Sequence, residues 1–174
     1  NAATTNVEAK QISVSDGEIV AANATMNAES VSLTGGSIAA VKADNTGAVN
    51  LTATAGNIAE GEGFALKADM INTSATGKTS LGSHANQLEK VNIVSAGDVV
   101  TIGSANHSNN NALEIATSNP LTVDLIVTNY KDAYNCNNAV LVSSFLQTSG
   151  NITLVNEETA IVVNSNGIAK GSNI

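Results

Sequence analysis

Along most of the chain, apolar and polar residues alternate in short runs that are broken by small polar turns. Ile12-Ser13-Val14 is followed by Gly17 and Ile19, Val31-Ser32-Leu33 by Gly36 and Ile38, and Val49-Asn50-Leu51 by Gly56 and Ile58. The pattern returns at Ile71 with Gly77 and Leu81, at Val91-Asn92-Ile93 with Gly97 and Val99, and at Leu113-Glu114-Ile115 with Asn119, Pro120 and Leu121. Two further units run from Leu146 through Gly150 to Ile152, and from Ile161-Val162-Val163 through Gly167 to Ile168. Strict alternation puts Val, Ile and Leu on one side of a strand and Asn, Ser and Thr on the other, as a half-buried strand requires. From Gly17 to Gly36, Gly56, Gly77 and Gly97 the steps are about 20 residues, a period that marks a solenoid.

One unit of this size cannot close a core, so successive units must stack, each strand pairing with its equivalent one coil away. The expected fold is therefore all-β: a parallel β-helix, taken as right-handed, of about eight coils of roughly 20 residues. At about 4.8 Å per coil it makes a rod roughly 40 Å long. A single domain is expected over residues 1–174, with a longer coil or insertion at 120–150, where the interval from Pro120 to Gly150 exceeds the period. A β-sandwich would share the short strands but carry more aromatic residues. Ala-rich runs such as Ala21-Ala22-Asn23-Ala24 are too interrupted for helix.

Composition sharpens this picture. Aromatics are 2% of the 174 residues, Trp is absent, Pro and Cys occur once each, and all seven basic residues are Lys. A narrow core of stacked like residues accommodates Val, Ile, Leu and Ala where Trp would not fit, and Asn or Thr at equivalent positions can form side-chain ladders. Without Arg, and with a net charge of -8, the chain lacks the usual phosphate and base-edge donor and repels polyanions, which argues against nucleic acid as a partner. The longest apolar stretches, about five residues, are far short of a membrane span. Cys136 is alone and no Cys/His spacing suits zinc, so neither a metal nor a cofactor is expected. A first residue of Asn rather than Met suggests a processed protein or a segment of a longer one.

Catalysis is not expected. Enzymes on β-helices need clustered carboxylates with a basic partner, whereas Glu157 and Glu158 are merely adjacent and Glu60 and Glu62, flanking Gly61, read as a solvated corner. His84 lies seven residues past Gly77 and His107 ten past Gly97, so they hold no equivalent places for a stacked metal pair. The more promising chemistry lies in 120–150, which holds Tyr130, Tyr134 and Phe145. Within it Tyr130, Lys131, Asp132 and Tyr134 offer two amphipathic rings, a cation and an anion, suited to glycan or protein contact or, alternatively, to capping a flank of the helix. The run Ser104 to Asn111 reads as a polar loop. The sequons at Asn23, Asn50, Asn72, Asn106 and Asn151 are compatible with surface glycosylation.

From Gln11 to about Ile168 the repeats, with turns such as Ala55-Gly56-Asn57-Ile58, resemble the β-helical shafts of filamentous haemagglutinin-type bacterial exoproteins, the adhesins of two-partner secretion. Asn164-Ser165-Asn166-Gly167-Ile168 is similar to the Asn-Pro-Asn-Gly-Ile signature of that family's secretion domain, with Ser165 in place of Pro and the motif at the end of the chain. The resemblance implies export across an outer membrane and attachment at the cell surface. The expected function is a non-catalytic, secreted or surface-displayed adhesin segment that contacts a glycan or protein on host or neighbouring cells. The alternatives are a self-assembling extracellular fibre or surface-lattice subunit, held by end-to-end or lateral self-association, and, third, a polysaccharide-acting enzyme.

Overall fold

The computed structural model describes residues 2–105, 112–131, 139–142, 144–157, 160–163 and 168–174. Among these, sixteen strands and no helix are found. They are β1 (Ala2–Glu8), β2 (Gln11–Ala28), β3 (Ser30–Ala40), β4 (Ala48–Ala53), β5 (Ile58–Glu60), β6 (Phe64–Ala75), β7 (Thr79–Leu81) and β8 (Gln87–Ser95). There follow β9 (Val100–Ser104), β10 (Leu113–Thr117), β11 (Leu125–Asn129), β12 (Val140–Val142), β13 (Phe145–Gln147), β14 (Ile152–Asn156), β15 (Ile161–Val163) and β16 (Ile168–Lys170).

Each pairing between these strands is parallel, and each joins a strand to one lying a single turn away in sequence. That is a parallel β-solenoid. One face stacks β1, the end of β2, β4, the end of β6, β8, β10, β12 and β15. A second stacks the start of β2, the start of β3, β5, β7, β9, β11 and β14. A third, shorter face joins the middle of β2, the end of β3 and the start of β6. β2 is long because it turns two corners without losing its ladder: Gln11 pairs with Ser30, Gly17 with Gly36, and Asn23 with Ala48.

The solenoid has about seven turns rather than eight coils. Eight strands on the first face enclose seven turns, and the repeat legible in sequence mixes faces. The Ile12 and Val31 units lie on the second face, the Val49, Ile71, Val91, Leu113 and Ile161 units on the first, and Leu146 belongs to β13, which pairs with β16. Two alternating strands in one turn carry the same apolar pattern, so the pattern does not distinguish them. The turn is also less uniform than 20 residues. Ile12 pairs with Val31 and Ile71 with Val91, but Val91 pairs with Ile115, Val31 with Ile58 and Val127 with Leu154.

The core is a set of inward rows. Ala24, Val49, Ile71, Val91, Ile115 and Val142 form one, and Ile12, Val31, Ile58, Thr79, Val100, Leu125 and Ile152 another, all but solvent-free. Burying each of these aliphatic side chains stabilises by about 1.5–3 kcal/mol. The outward row on the first face is polar and self-satisfied. Asn50 Nδ2 donates to Thr25 Oγ1 (3.2 Å), Asn72 Nδ2 to Asn50 Oδ1 (2.8 Å), Asn92 Nδ2 to Asn72 Oδ1 (3.0 Å), and Ser118 Oγ closes the row on Asn92 Oδ1 (3.0 Å).

Polar groups in the two rows have opposite consequences. Asn72→Ala removes two ladder hydrogen bonds and is expected to destabilise the chain by about 1–2 kcal/mol. Thr79, fully buried with its hydroxyl unpartnered among the described residues, should stabilise by roughly 1 kcal/mol when replaced by the isosteric Val. Urea unfolding of both variants checks the two signs, and a loss on Thr79→Val would show that its hydroxyl has a partner.

Candidate functional site

One inward row is interrupted by a charge. Alternation along β5 sends Ile58 inward, Ala59 outward and Glu60 inward. Glu60 pairs with the buried Leu33 on one side. The register from Ile58↔Thr79 and Ala59↔Ser80 then carries it onto Leu81, with Ile102 and Val127 beyond. A carboxylate thus occupies an apolar ladder, where an ionised form is expensive unless hydrogen-bonded.

The 82–86 loop partly compensates. Glu60 Oε2 accepts hydrogen bonds from the Ser83 backbone N–H (2.8 Å) and from Asn86 Nδ2 (2.9 Å). Asn86 is itself fully buried: its Nδ2 also reaches the Leu81 and Gly103 carbonyls, and its Oδ1 accepts from the Leu66 N–H (2.9 Å). Ser83 Oγ anchors the loop on the Phe64 carbonyl (2.8 Å). Glu60 Oε1 is closed off from solvent and has no partner among the described residues. Burial outweighs the two hydrogen bonds and pushes the Glu60 carboxyl up to about 7.

Tyr130, immediately after β11, folds back across two turns onto the same place. Its phenol donates to the Gly82 carbonyl (3.0 Å) and its ring stacks on His84, with centroids 3.6 Å apart and planes 20° apart. The route is cleared by glycine: a Cβ on Gly103 would stand 2.6 Å from Tyr130 Cε2 and 3.0 Å from its hydroxyl. Burial, then the negative charges of Glu157 and Glu60, raise the Tyr130 phenol above its ordinary value.

Together these groups bound an open cleft of about 550 Å³. Glu60, Glu62, Ser80, Ser83, His84 and Tyr130 supply its polar and aromatic wall, and Gly61, Gly63 and Gly82 leave its floor bare. Among the described residues no group of three or more His, Cys, Asp or Glu is arranged to hold a metal ion.

Of the four contact residues expected from sequence, Tyr130 is in the cleft. Lys131 is exposed and does not line it; its N–H donates to Glu157 Oε2 (3.0 Å). Asp132 and Tyr134 lie outside the described residues, as do His107, Cys136 and residues 164–167. The expectation that Glu60 and Glu62 form a solvated corner is corrected: Glu62 is exposed, but strand parity turns Glu60 inward. The matching parity of Val31-Ser32-Leu33, Ile58-Ala59-Glu60 and Thr79-Ser80-Leu81 was the available signal. His84, set aside as a metal ligand, is the stacking partner of Tyr130. No protein-family model, curated protein or solved structure matches the chain.

Raising a carboxyl from 4.5 to about 7 on folding favours the protonated folded state. Stability from this group is full below pH 4.5, falls as pH rises towards 7, and is flat above, for a loss on the order of 3 kcal/mol. Glu60→Gln keeps an oxygen for Ser83 and Asn86 and cannot ionise. Its stability relative to the unmodified chain should rise by about that amount between pH 4 and pH 8 in chemical denaturation, and parallel pH profiles would refute the buried acid.

Proposed function

We propose that the chain is a non-catalytic segment of a secreted or surface-displayed adhesin, with the shaft-like role of the filamentous haemagglutinin-type exoproteins that its repeats resemble. In this reading the seven-turn stack serves as a stiff support, and the Tyr130 cleft meets a glycan or protein on a host or neighbouring cell. The observation that carries it is the placement of Tyr130: a ring folded across two turns, stacked on exposed His84 beside an open cleft, all mounted on continuous backbone ladders. Rigid aromatic groups bordering a concavity make contact at low entropic cost. Direct export and attachment are carried by the resemblance alone.

A second reading, an extracellular fibre or lattice subunit, draws on β15. Ile161, Val162 and Val163 all stand exposed at 46%, 38% and 52%, an apolar edge of the kind that recruits further strands.

Two measurements separate the readings. The labelled full chain should bind cells in flow cytometry, with Tyr130→Ala and His84→Ala each reducing binding about tenfold, roughly 1.4 kcal/mol, at unchanged circular dichroism; undiminished binding would remove the cleft as the contact site. In sedimentation velocity a fibre subunit should form concentration-dependent assemblies that Val162→Lys disperses, whereas a monomer at all concentrations counts against the fibre.

A further inference from the structure

The cleft has a distinctive charge arrangement. Glu60 lines it from β5, Glu62 from the turn that follows, His84 from the loop after β7, and Tyr130 from beyond β11, and the charge of Glu157 also acts on the Tyr130 phenol. Among the described residues its lining holds no Lys, so exposed Glu62 at the rim and the inward Glu60 carboxylate beneath it meet no cation there. The unpartnered oxygen of Glu60 is shielded from water, so its charge, when present, is poorly screened. The stacked His84 and Tyr130 rings form the adjoining wall, and aromatic faces attract cations. An anionic ligand would face both carboxylates and a chain of net charge -8. The volume, about 550 Å³, admits a long side chain with its flanking peptide.

Resting on the reading of this cleft as the contact site, we propose that it receives the ammonium or guanidinium head of a Lys or Arg side chain from a basic segment of a partner protein. Glu62 at the rim pairs with the cation, the ring pair packs against the aliphatic stem, and Glu60 supplies unscreened attraction from below. Glu60 ionises at about pH 7, and the cation favours its ionised form. Affinity therefore rises with pH, by at most about tenfold from pH 6 to pH 8 as the ionised fraction grows. Substitution of Glu60 isolates its contribution to that dependence.

The test titrates the full chain, isotope-labelled for NMR, with an acetylated and amidated Gly-Lys-Gly-Lys-Gly peptide and with its norleucine counterpart. The lysine peptide should shift resonances of residues 60–63, 82–85 and 130, and the norleucine peptide should bind at least tenfold more weakly. Glu62→Gln should weaken lysine binding about fivefold, while Glu8→Gln, at a remote exposed carboxylate, leaves it unchanged. Glu60→Gln should cut the pH gain to about twofold or less. Equal binding of both peptides, or equal losses from Glu62→Gln and Glu8→Gln, would overturn the proposal. So would binding of the neutral disaccharide N-acetyllactosamine, abolished by Tyr130→Ala, in the absence of lysine binding; that result would leave the adhesin reading standing with a glycan as its ligand. Loss of cell binding altogether would instead sink the adhesin reading itself.

Discussion

The structure depends on one spacing. Parallel strands must lie about 4.8 Å apart to hydrogen-bond, so each paired strand residue sits directly over its partner one turn earlier. Once that distance is imposed, side chains can pack only in rows of compatible size and polarity. The Ile12-to-Ile152 row is apolar apart from Thr79, and the Thr25-to-Ser118 row hands one amide hydrogen bond to the next. Corners obey the same rule: the Gly77 N–H donates to Gly56 O and the Gly97 N–H to Gly77 O. A Cβ on Gly97 would stand 1.8 Å from the Thr76 carbonyl, so close stacking leaves room there for glycine alone. The scarcity of aromatics has the same origin. Among the described residues Phe64 is the one aromatic of the largest fully buried side chains, because a ring is hard to accommodate in rows whose spacing is set by backbone rather than by side-chain volume.

Against so regular a background a departure is conspicuous and costly. Glu60 stands in a row with Leu33, Leu81, Ile102 and Val127, and its placement demands local repair. Asn86, buried without exposure, satisfies the Leu66 N–H and ties the Leu81 and Gly103 carbonyls to the same carboxylate. The repair is incomplete, since one oxygen remains unpartnered among the described residues. A structural network would gain from closing that gap with a donor or replacing the acid by Leu. A buried, titratable and half-satisfied group beside a cleft is in keeping with the contact role proposed for it.

Much of the architecture was legible in the sequence. Alternation in Val31-Ser32-Leu33 and Val49-Asn50-Leu51, with glycine at steps near 20, led to parallel stacking because a unit of that length buries its apolar face only against its neighbours. What was not legible was which of a turn's faces a given unit occupied, since strands on both faces bury the same aliphatic types. Thus Gly17 pairs with Gly36, but Gly36 pairs with Phe64 rather than Gly56. The candidate site was legible only in part. Tyr130 attracted notice as a rare ring, whereas Glu60 was read by its charge rather than by its parity. Lys131, chosen as its neighbour in sequence, does not line the cleft, because adjacent residues at the end of a strand diverge while residues one turn apart converge.

That last contrast indicates how sites form in a solenoid. Glu60, Gly82 with His84, Gly103, and Tyr130 lie on four successive turns, and none is a sequence neighbour of the next. His84 and Tyr130 are 46 residues apart and hold different places in their turns, yet their rings touch because the Tyr130 side chain runs along the axis, across the strands, over Gly103, which leaves its path open. Equivalence of position, the criterion that dismissed His84, is the rule for the ladder and not for the cleft. The ladder fixes which backbone atoms are stacked; a long side chain lying across bare glycine can then reach two turns back without disturbing a single backbone hydrogen bond. The missing side chain at Gly103 is therefore as necessary to the cleft as the residues that line it, while the stack beneath stays continuous.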